Sequence, residues 1–580
     1  MHENIFCLFE LLIHLLVCLN RRGLVTFLLI ATFGIQLFTP CIMKRNLTLL
    51  FSIVLLLSLF TACQNNELSS PNVLILLADD LGFSDAGCYG GEILTPNLDQ
   101  LAASGLRYTH FYNTARCWPT RAAILTGYYP QQSGRDNAPG IKGGGGSSRA
   151  AWAKVIPHYL EGTAYRTYHS GKWHVDGKPV ENGFDLSYWT PDHSRFFSPK
   201  KHFENDTLLE AVPRGTGYYA TTEIASRAIA QLKSHAQEYG DKPFFSYVAF
   251  ITPHFPLHAP AEDIEAVGDR YAPGWDQVRA QRWERIQELG IASGTLSPVE
   301  TEVGPPYHFP ESLEILGENE VNRPLPWESL SPAQQVFQQQ KMSIHAAMVE
   351  RLDKEIGRIV DQLREMGAYE NTLIFFLSDN GSSAEIMVRG DGHDPEAMPG
   401  SADSYLCLGP GWSTMCNTPF RMHKTWVHEG GACTPLIAHW PAGISAKGEL
   451  RRTPGHVIDL LPTVLDLAGV DVSASLEVPF PGESLVPTFE GESEWERELW
   501  WYHEGNRALR HGDWKIVAAR DKPWELFDLG RDRTESENLA ESSPEKVKEL
   551  EERWESILAD IREVAPVKDD AAHEVKVTDH

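Results

Sequence analysis

Positive charge is scarce in this 580-residue chain: 51 Lys and Arg stand against 78 Asp and Glu, a formal net charge of −27. A phosphate backbone is bound by a basic face, so the deficit excludes nucleic acid as a partner. It also sets a condition on any anionic substrate, because cations must then be concentrated locally, and a tightly bound metal would help. Cysteine is sparse as well, with nine in the whole chain. Cys7, Cys18 and Cys41 precede Met43, Cys63 closes an N-terminal apolar segment and Cys117 sits in a motif of its own. Cys88, Cys407, Cys416 and Cys433 either pair or remain free thiols, and the sequence leaves both open. No apolar run reaches the roughly 20 residues that cross a bilayer as a helix. No internal repeat is present. With 42% hydrophobic residues, 46 Gly and 37 Pro the composition is globular and loop-rich, and the length calls for more than one structural unit.

The N-terminus nevertheless carries a targeting pattern. Met43-Lys44-Arg45-Asn46 is a short basic start, Leu47 to Phe60 is almost continuously apolar, and Thr61-Ala62-Cys63 closes the segment. This resembles a bacterial lipoprotein signal over 43–63, with Cys63 as the lipidated first residue of the mature protein and Phe60 where Leu is usual. The expected location is exported, periplasmic or cell-surface, anchored on a membrane by lipid. Residues 1–42 hold a further apolar run, Leu24 to Leu37, ahead of a complete signal, so translation is expected to begin at Met43. Detection of a precursor peptide from 1–42 would refute that start.

Residues 64–70 read as a polar tether. Asn72–Ala78, Thr372–Ser378 and Pro243–Phe250 are short, continuous apolar runs, the pattern of strands buried on both faces of a parallel sheet. Helical patterns lie between them, including Thr222–Ser234 and His345–Met366. The expected fold is α/β over 71–470: a large, mostly parallel central sheet flanked by helices. Residues 262–335 show no sustained period and read as a long irregular insertion that shapes substrate choice. Val457–Leu465 reads as the last helix of the main unit. A smaller C-terminal α+β unit over 471–567 is expected to hold an antiparallel sheet, from strands Glu498–Tyr502, Arg507–Leu509, Trp514–Val517 and Trp524–Asp528. A terminal helix Pro544–Val564 closes it, and 568–580 is a tail expected to be disordered.

Two of the buried runs end in oxygen donors, Asp79-Asp80 and Asp379-Asn380, each followed by Gly within two residues. Ligands bind at the carboxyl ends of strands in open α/β sheets. One such pair alone merely stops a strand. Two pairs form a hard-oxygen set that fits Ca²⁺ or Mg²⁺ better than zinc. Cys117-Trp118-Pro119-Thr120-Arg121 starts a helix, since Pro119 suits a first turn, and free N–H groups there attract an anion. Gly171-Lys172-Trp173-His174 places two polar donors at i and i+2, on one face if the segment is extended. His254 follows a buried strand in Pro253-His254-Phe255-Pro256. Lys424 lies between Asn417-Thr418-Pro419-Phe420-Arg421 and His428-Glu429-Gly430-Gly431. Arg421, His423 and His428 are equally well read as structural.

The run C-x-P-T-R-x-x-x-L-T-G from Cys117 to Gly127, with D-D, G-K-W-H, P-H-x-P, S-D-N-G and N-T-P-F-R-x-x-K, resembles the type I sulfatases, and within them the bacterial arylsulfatase group of the alkaline-phosphatase superfamily. The likeness spans about Asn72 to Trp440. It implies that Cys117 is oxidised to Cα-formylglycine, whose hydrated aldehyde attacks sulfur in a sulfate ester. It implies one Ca²⁺ held by Asp79, Asp80, Asp379, Asn380 and the group made from Cys117, with Arg121, Lys172, His174, His254 and Lys424 around the sulfate and leaving group. A maturing partner follows, either a formylglycine-generating or an anaerobic sulfatase-maturating enzyme. The implied substrates are aryl sulfates or sulfated carbohydrates. Rival readings are a phosphonate or phosphate monoester hydrolase of the same superfamily and an inactive lipoprotein that binds sulfated glycans.

Overall fold

The structure, a computed structural model, describes residues 70–493 and 496–566. The signal pattern 43–63 with Cys63, the segment 1–42, nearly all of the tether and the tail 568–580 lie outside the described residues. From Ser70 onward the chain forms one compact unit.

The strand β1 (Asn72–Ala78) shows why a parallel sheet forms here. Its side chains alternate between two cores: Val73, Ile75 and Leu77 pack with Ala123, Ile124 and Leu461, while Leu74, Leu76 and Ala78 pack with Val349, Leu352 and Ile356. Full burial of such aliphatic side chains contributes about 1.5–3 kcal/mol each. A strand covered on both faces therefore has no polar position to spare. The other strands of this sheet are β2 (Leu106–Tyr112), β3 (Arg166–Gly171), β4 (Leu186–Trp189), β5 (Phe203–Glu204), β6 (Thr207–Leu208), β7 (Phe244–Ala249), β8 (Thr372–Ser378), β9 (Cys433–His439), β10 (Glu449–Arg451) and β11 (Gly455–His456). They lie in the order β10-β2-β9-β8-β1-β7-β3-β4-β5-β6, with β11 also on β2. β9 runs against both neighbours and β5 and β6 are antiparallel, but β8, β1, β7, β3 and β4 are mutually parallel. In register, Ala78 faces Ser378 and both Leu77 and Gly171 face Ala249. The residues that follow those strands therefore emerge together along one edge.

The expected α/β sheet is present. The helix expected from His345 starts much earlier and covers Pro332–Glu365. Its true start is a capping box: the Ser331 hydroxyl accepts from Gln334 N at 3.3 Å and the Gln334 side chain accepts from Ser331 N at 3.0 Å, with Pro332 in the first turn. Irregular structure is not what fills 262–335. That segment holds helices Ala261–Val267, Gly274–Glu288 and Pro310–Leu316. The inward face of Gly274–Glu288 is Trp275, Val278, Arg279, Arg282 and Ile286, spaced as a helix requires, but two of the five are arginines. Arg282 is buried on Asp85 and Glu92, and Arg279 on Ser297, so the period exists without being apolar.

The C-terminal region forms the expected antiparallel sheet, β12 (Glu498–His503), β13 (Asn506–His511), β14 (Trp514–Ala518) and β15 (Glu525–Asp528). The helix Pro544–Val564 covers it with Leu550, Trp554, Leu558 and Ile561, and Trp554 stacks on Trp500 at 5.7 Å. This sheet is tied to the main one by the Trp501 indole, which donates to Asn113 O at 2.7 Å. Cys88, Cys407, Cys416 and Cys433 are all free thiols.

Candidate active site

Asp79 and Asp80 leave β1, and Asp80 turns through a left-handed backbone (φ 68°) that aims both carboxylates back over the strand ends. Asp79 Oδ2 accepts from Lys172 Nζ at 2.6 Å and lies 3.6 Å from Arg121 Nη2. Asp80 accepts from Lys424 Nζ at 2.8 Å and from the Asn380 amide at 2.6 Å. Asp379 Oδ2 takes Arg121 Nε at 2.8 Å, and Asp379 Oδ1 accepts from Asp80 N at 3.3 Å. All of these side chains are buried.

Two oxygens in this cluster, Asp79 Oδ1 and Asn380 Oδ1, are buried without any partner. An unpaired buried acceptor costs about 1–3 kcal/mol, which a cation at that point would offset. Ligand atoms of Asp79, Asp80 and His254 come within 4.8 Å of one another. A dense set of carboxylate and amide oxygens with no thiolate among them fits a hard divalent cation. The charges argue the same way. Burial works against the Asp79 carboxylate, but Lys172, His254 and Arg121 outweigh it and hold its pKa well below the usual range. Burial, and then the charge of Asp79, pushes Asp379 upward. Three cations, Lys172, Lys424 and Arg121, thus stand against the three carboxylates, and what the cluster leaves unmatched is its two partnerless oxygens.

Cys117 is the first residue of the helix Cys117–Thr126 and is 3% exposed. Burial raises its thiol pKa, against the lowering pull of Lys172 and Lys424 and with the help of Asp79 and Asp379. The unmodified side chain is accordingly a protonated thiol at neutral pH, a poor nucleophile. Arg121, one turn along, is held rigidly: besides Asp379 it donates to the carbonyls of Lys172 at 3.1 Å and Phe250 at 3.4 Å.

Lys172 thus holds Asp79 and Lys424 holds Asp80. For Lys424, burial opposes the charge, but Asp80 and Glu385 outweigh it and raise its pKa, so the ammonium persists. His254 Nδ1 lies 2.5 Å from Phe255 O and its Nε2 3.8 Å from Asp80 Oδ2. A carbonyl only accepts, so Nδ1 carries the proton and Nε2 the lone pair. Burial, only partly offset by Asp80, brings this imidazole down to about 4. His174 does not share an extended face with Lys172, because its backbone is left-handed (φ 54°). Its ring instead meets Trp118 at 6.1 Å and His193 at 5.2 Å. Burial, then Lys172 and His193, drive its pKa well down.

Four residues here carry no sequence signal. Glu385 is buried between Lys424 at 3.0 Å and Arg116 at 3.2 Å. The Arg116 guanidinium lies 5.1 Å over both the Trp118 and the Tyr307 rings. Tyr307 belongs to the 262–335 insertion and donates to Glu504 Oε2 at 3.1 Å, joining that insertion to the turn between β12 and β13. His193, in the loop after β4, is half-buried and depressed by burial and then by Lys172. Arg421, His423 and His428 have structural partners: Arg421 and His428 on Glu525, and His423 on Ser413.

The sulfatase family model matches residues 71–470. The chain belongs to the sulfatase family. A second match, to the N-sulphoglucosamine sulphohydrolase C-terminal family, covers residues 420–563 of this sulfatase. Its sequence is 30% identical to the arylsulfatase of Klebsiella aerogenes over 460 residues, 72% of this chain and 91% of the relative. It is 25% identical to the N-acetylglucosamine-6-O-sulfatase of Bacteroides thetaiotaomicron over 564 residues, 86% and 88% of the two chains. The crystal structure of Ps i-CgsB in complex with k-i-k-neocarrahexaose shares the fold with a TM-score of 0.60 at 23% identity, covering 84% of this chain and 93% of that one. The protein is a sulfuric ester hydrolase.

Proposed function

We propose that this sulfatase removes sulfate from sulfated carbohydrates, turns over aryl sulfates as well, and works with a Cα-formylglycine made from Cys117 and one Ca²⁺ held by Asp79, Asp80, Asp379 and Asn380. The observation that carries this reading is the convergence of unpaired buried oxygens, two buried lysines and a helix-leading, protonated Cys117 on one sheet edge. When present, the aldehyde hydrate supplies an oxygen nucleophile toward sulfur, and the cation neutralises negative charge on the sulfate oxygens.

The chain's own residues supply the rest. Lys172 and Lys424 hold fixed positive charge where charge develops on the transferring group, and fixed charge in a dry site is usually the largest single catalytic contribution. Arg121, locked by Asp379 and two carbonyls, keeps the start of its helix and its free N–H groups in position. His254 Nε2, unprotonated and 3.8 Å from Asp80 Oδ2, receives a proton once an anionic substrate raises its affinity, and then returns it to the departing alcohol oxygen. His174, whose Nδ1 is buried and unpartnered, is placed to accept a proton beside Cys117's neighbour Trp118.

The carbohydrate preference draws on the named activity of the Bacteroides relative and on the oligosaccharide in the Ps i-CgsB complex. Export with a lipid anchor at Cys63 would place the enzyme where such polymers occur. The test is a sulfate-release screen over defined sulfated sugars, with phosphate and phosphonate esters of one phenol beside the matching aryl sulfate. The protein must first be shown by mass spectrometry to carry formylglycine. Release from sulfated sugars is expected. Turnover confined to phosphonates, or equal turnover by protein retaining an intact Cys117 thiol, would overturn the proposal.

A further inference from the structure

Away from the sheet edge that holds Cys117, a cavity of about 520 Å³ opens where three parts of the fold meet. One wall is the turn that follows the helix Gly274–Glu288, another is the β2 margin with His110 and Arg452, and the third is Arg510 of β13, Asp513 in the turn after it and Arg533 in the loop after β15. Three guanidiniums thus face one carboxylate, in a protein whose net charge is −27.

Two of the three arginines form no ion pair with a described residue. Among the described residues neither Arg452 nor Arg510 has a carboxylate within ion-pair distance. Arg510 is 3% exposed and is held in place by neutral groups, its Nε on Gly512 O at 2.9 Å and its Nη1 on the Tyr112 hydroxyl at 2.6 Å. Arg452 is exposed and leans on Gly290 O at 2.9 Å. Arg533, 6% exposed, pairs with Glu429, yet its Nε is buried without any partner. Glu429 also takes Lys515, which has Glu535 as a second partner, so Arg533 is charge-paired and only its Nε is left over. The same three arginines, after burial itself, depress the His110 imidazole beside them. A guanidinium stripped of water without a counter-charge is costly, and a bound oxyanion with several acceptor oxygens removes that cost.

We infer that this cavity is a second, non-catalytic oxyanion site that takes a sulfate group through Arg452, Arg510 and Arg533. The group belongs either to a sulfated carbohydrate chain or to inorganic sulfate. The site does not depend on the chemistry at Cys117, so its failure and a failure of the hydrolytic reading are separable.

The test uses isothermal titration calorimetry with inorganic sulfate, a dextran sulfate oligosaccharide and unsulfated dextran. The full chain is compared with Arg452→Glu and Arg452→Lys variants; Arg452 is exposed, so both are expected to keep the parental melting temperature. Binding of one or both anions is expected to weaken about tenfold in Arg452→Glu and much less in Arg452→Lys, with no response to dextran. Turnover of an aryl sulfate by matured Arg452→Glu should stay within about twofold of the parent, since the active site is untouched. Loss for inorganic sulfate alone assigns the free ion, and loss for the oligosaccharide alone assigns the carbohydrate chain. Equal affinities in all three proteins would overturn the inference.

Discussion

Arg121 and Asp379, 258 residues apart in sequence, form a fully buried pair in which Nε and Nη2 both lie 2.8 Å from the same carboxylate oxygen. One residue leads from the helix behind Cys117 and the other from the end of β8, so a single contact locks the Cys117 helix onto the oxygen cluster. Removing one partner of such a pair leaves an uncompensated buried charge. Arg121→Met is expected to lose about 3–5 kcal/mol in urea unfolding and all measurable sulfate release. Combining it with Asp379→Asn should recover part of the stability and none of the activity.

Calcium should behave as a structural ligand as well as a catalytic one. Native protein titrated with Ca²⁺ is expected to gain about 3 kcal/mol at a hundredfold excess over the dissociation constant, read as a rise in melting temperature that a chelator reverses. Asp80→Asn should abolish most of that rise. A melting temperature indifferent to both calcium and chelator would contradict the assignment.

Glu385, buried between Lys424 and Arg116, is placed to position Lys424. Lys424→Met is expected to reduce kcat/KM about a hundred- to a thousandfold. Glu385→Gln should cost less, with Glu385→Asp restoring part of the loss. A purely packing role for Glu385 would instead lower the melting temperature while leaving kcat unchanged.

Tyr307 brings the insertion against Arg116, which pairs with Glu385 beside Lys424, and against Glu504. Tyr307→Ala is expected to raise KM for a sulfated oligosaccharide several-fold and to leave kcat/KM for a small aryl sulfate within about twofold. Equal effects on both substrates would place Tyr307 in the catalytic framework rather than in recognition.

Asp85 joins Arg282 of the insertion, at 2.8 Å, to His345 of the helix Pro332–Glu365, at 3.0 Å. Burial alone would raise its pKa, but His345 and Arg282 outweigh that and bring it from 3.8 to about 2. A carboxylate depressed in the folded state stabilises fully above its unfolded pKa, and that stability is lost as pH falls toward 2. Stability should therefore drop by about 2 kcal/mol between pH 4 and pH 2, measured by denaturant unfolding. Asp85→Asn should be less stable at neutral pH and lack this part of the acid slope.

Much of the site was readable before any fold. Asp79, Asp80, Asp379 and Asn380 end unbroken apolar runs, and such runs are strands covered on both faces, so their ends had to emerge at a sheet edge. Cys117 began a helix as Pro119 required. The helix Gly274–Glu288 was hidden because arginines occupy two of its inward positions, and an apolar period cannot reveal a buried charge network. His174 stood in the right motif, but its left-handed backbone breaks the alternation that would have put it on one face with Lys172.

Local pattern alone thus determined the strands, the metal-type oxygen donors and the cysteine that leads its helix, because each depends on neighbours a few residues away. Tertiary structure alone decided that Glu385 holds Lys424, that Tyr307 reaches Arg116, and that Arg452, Arg510 and Arg533 share one cavity. Those relations join residues tens to hundreds of positions apart. Only the packing of both faces of the sheet, which fixes where each loop returns, brings them within a few ångströms of one another.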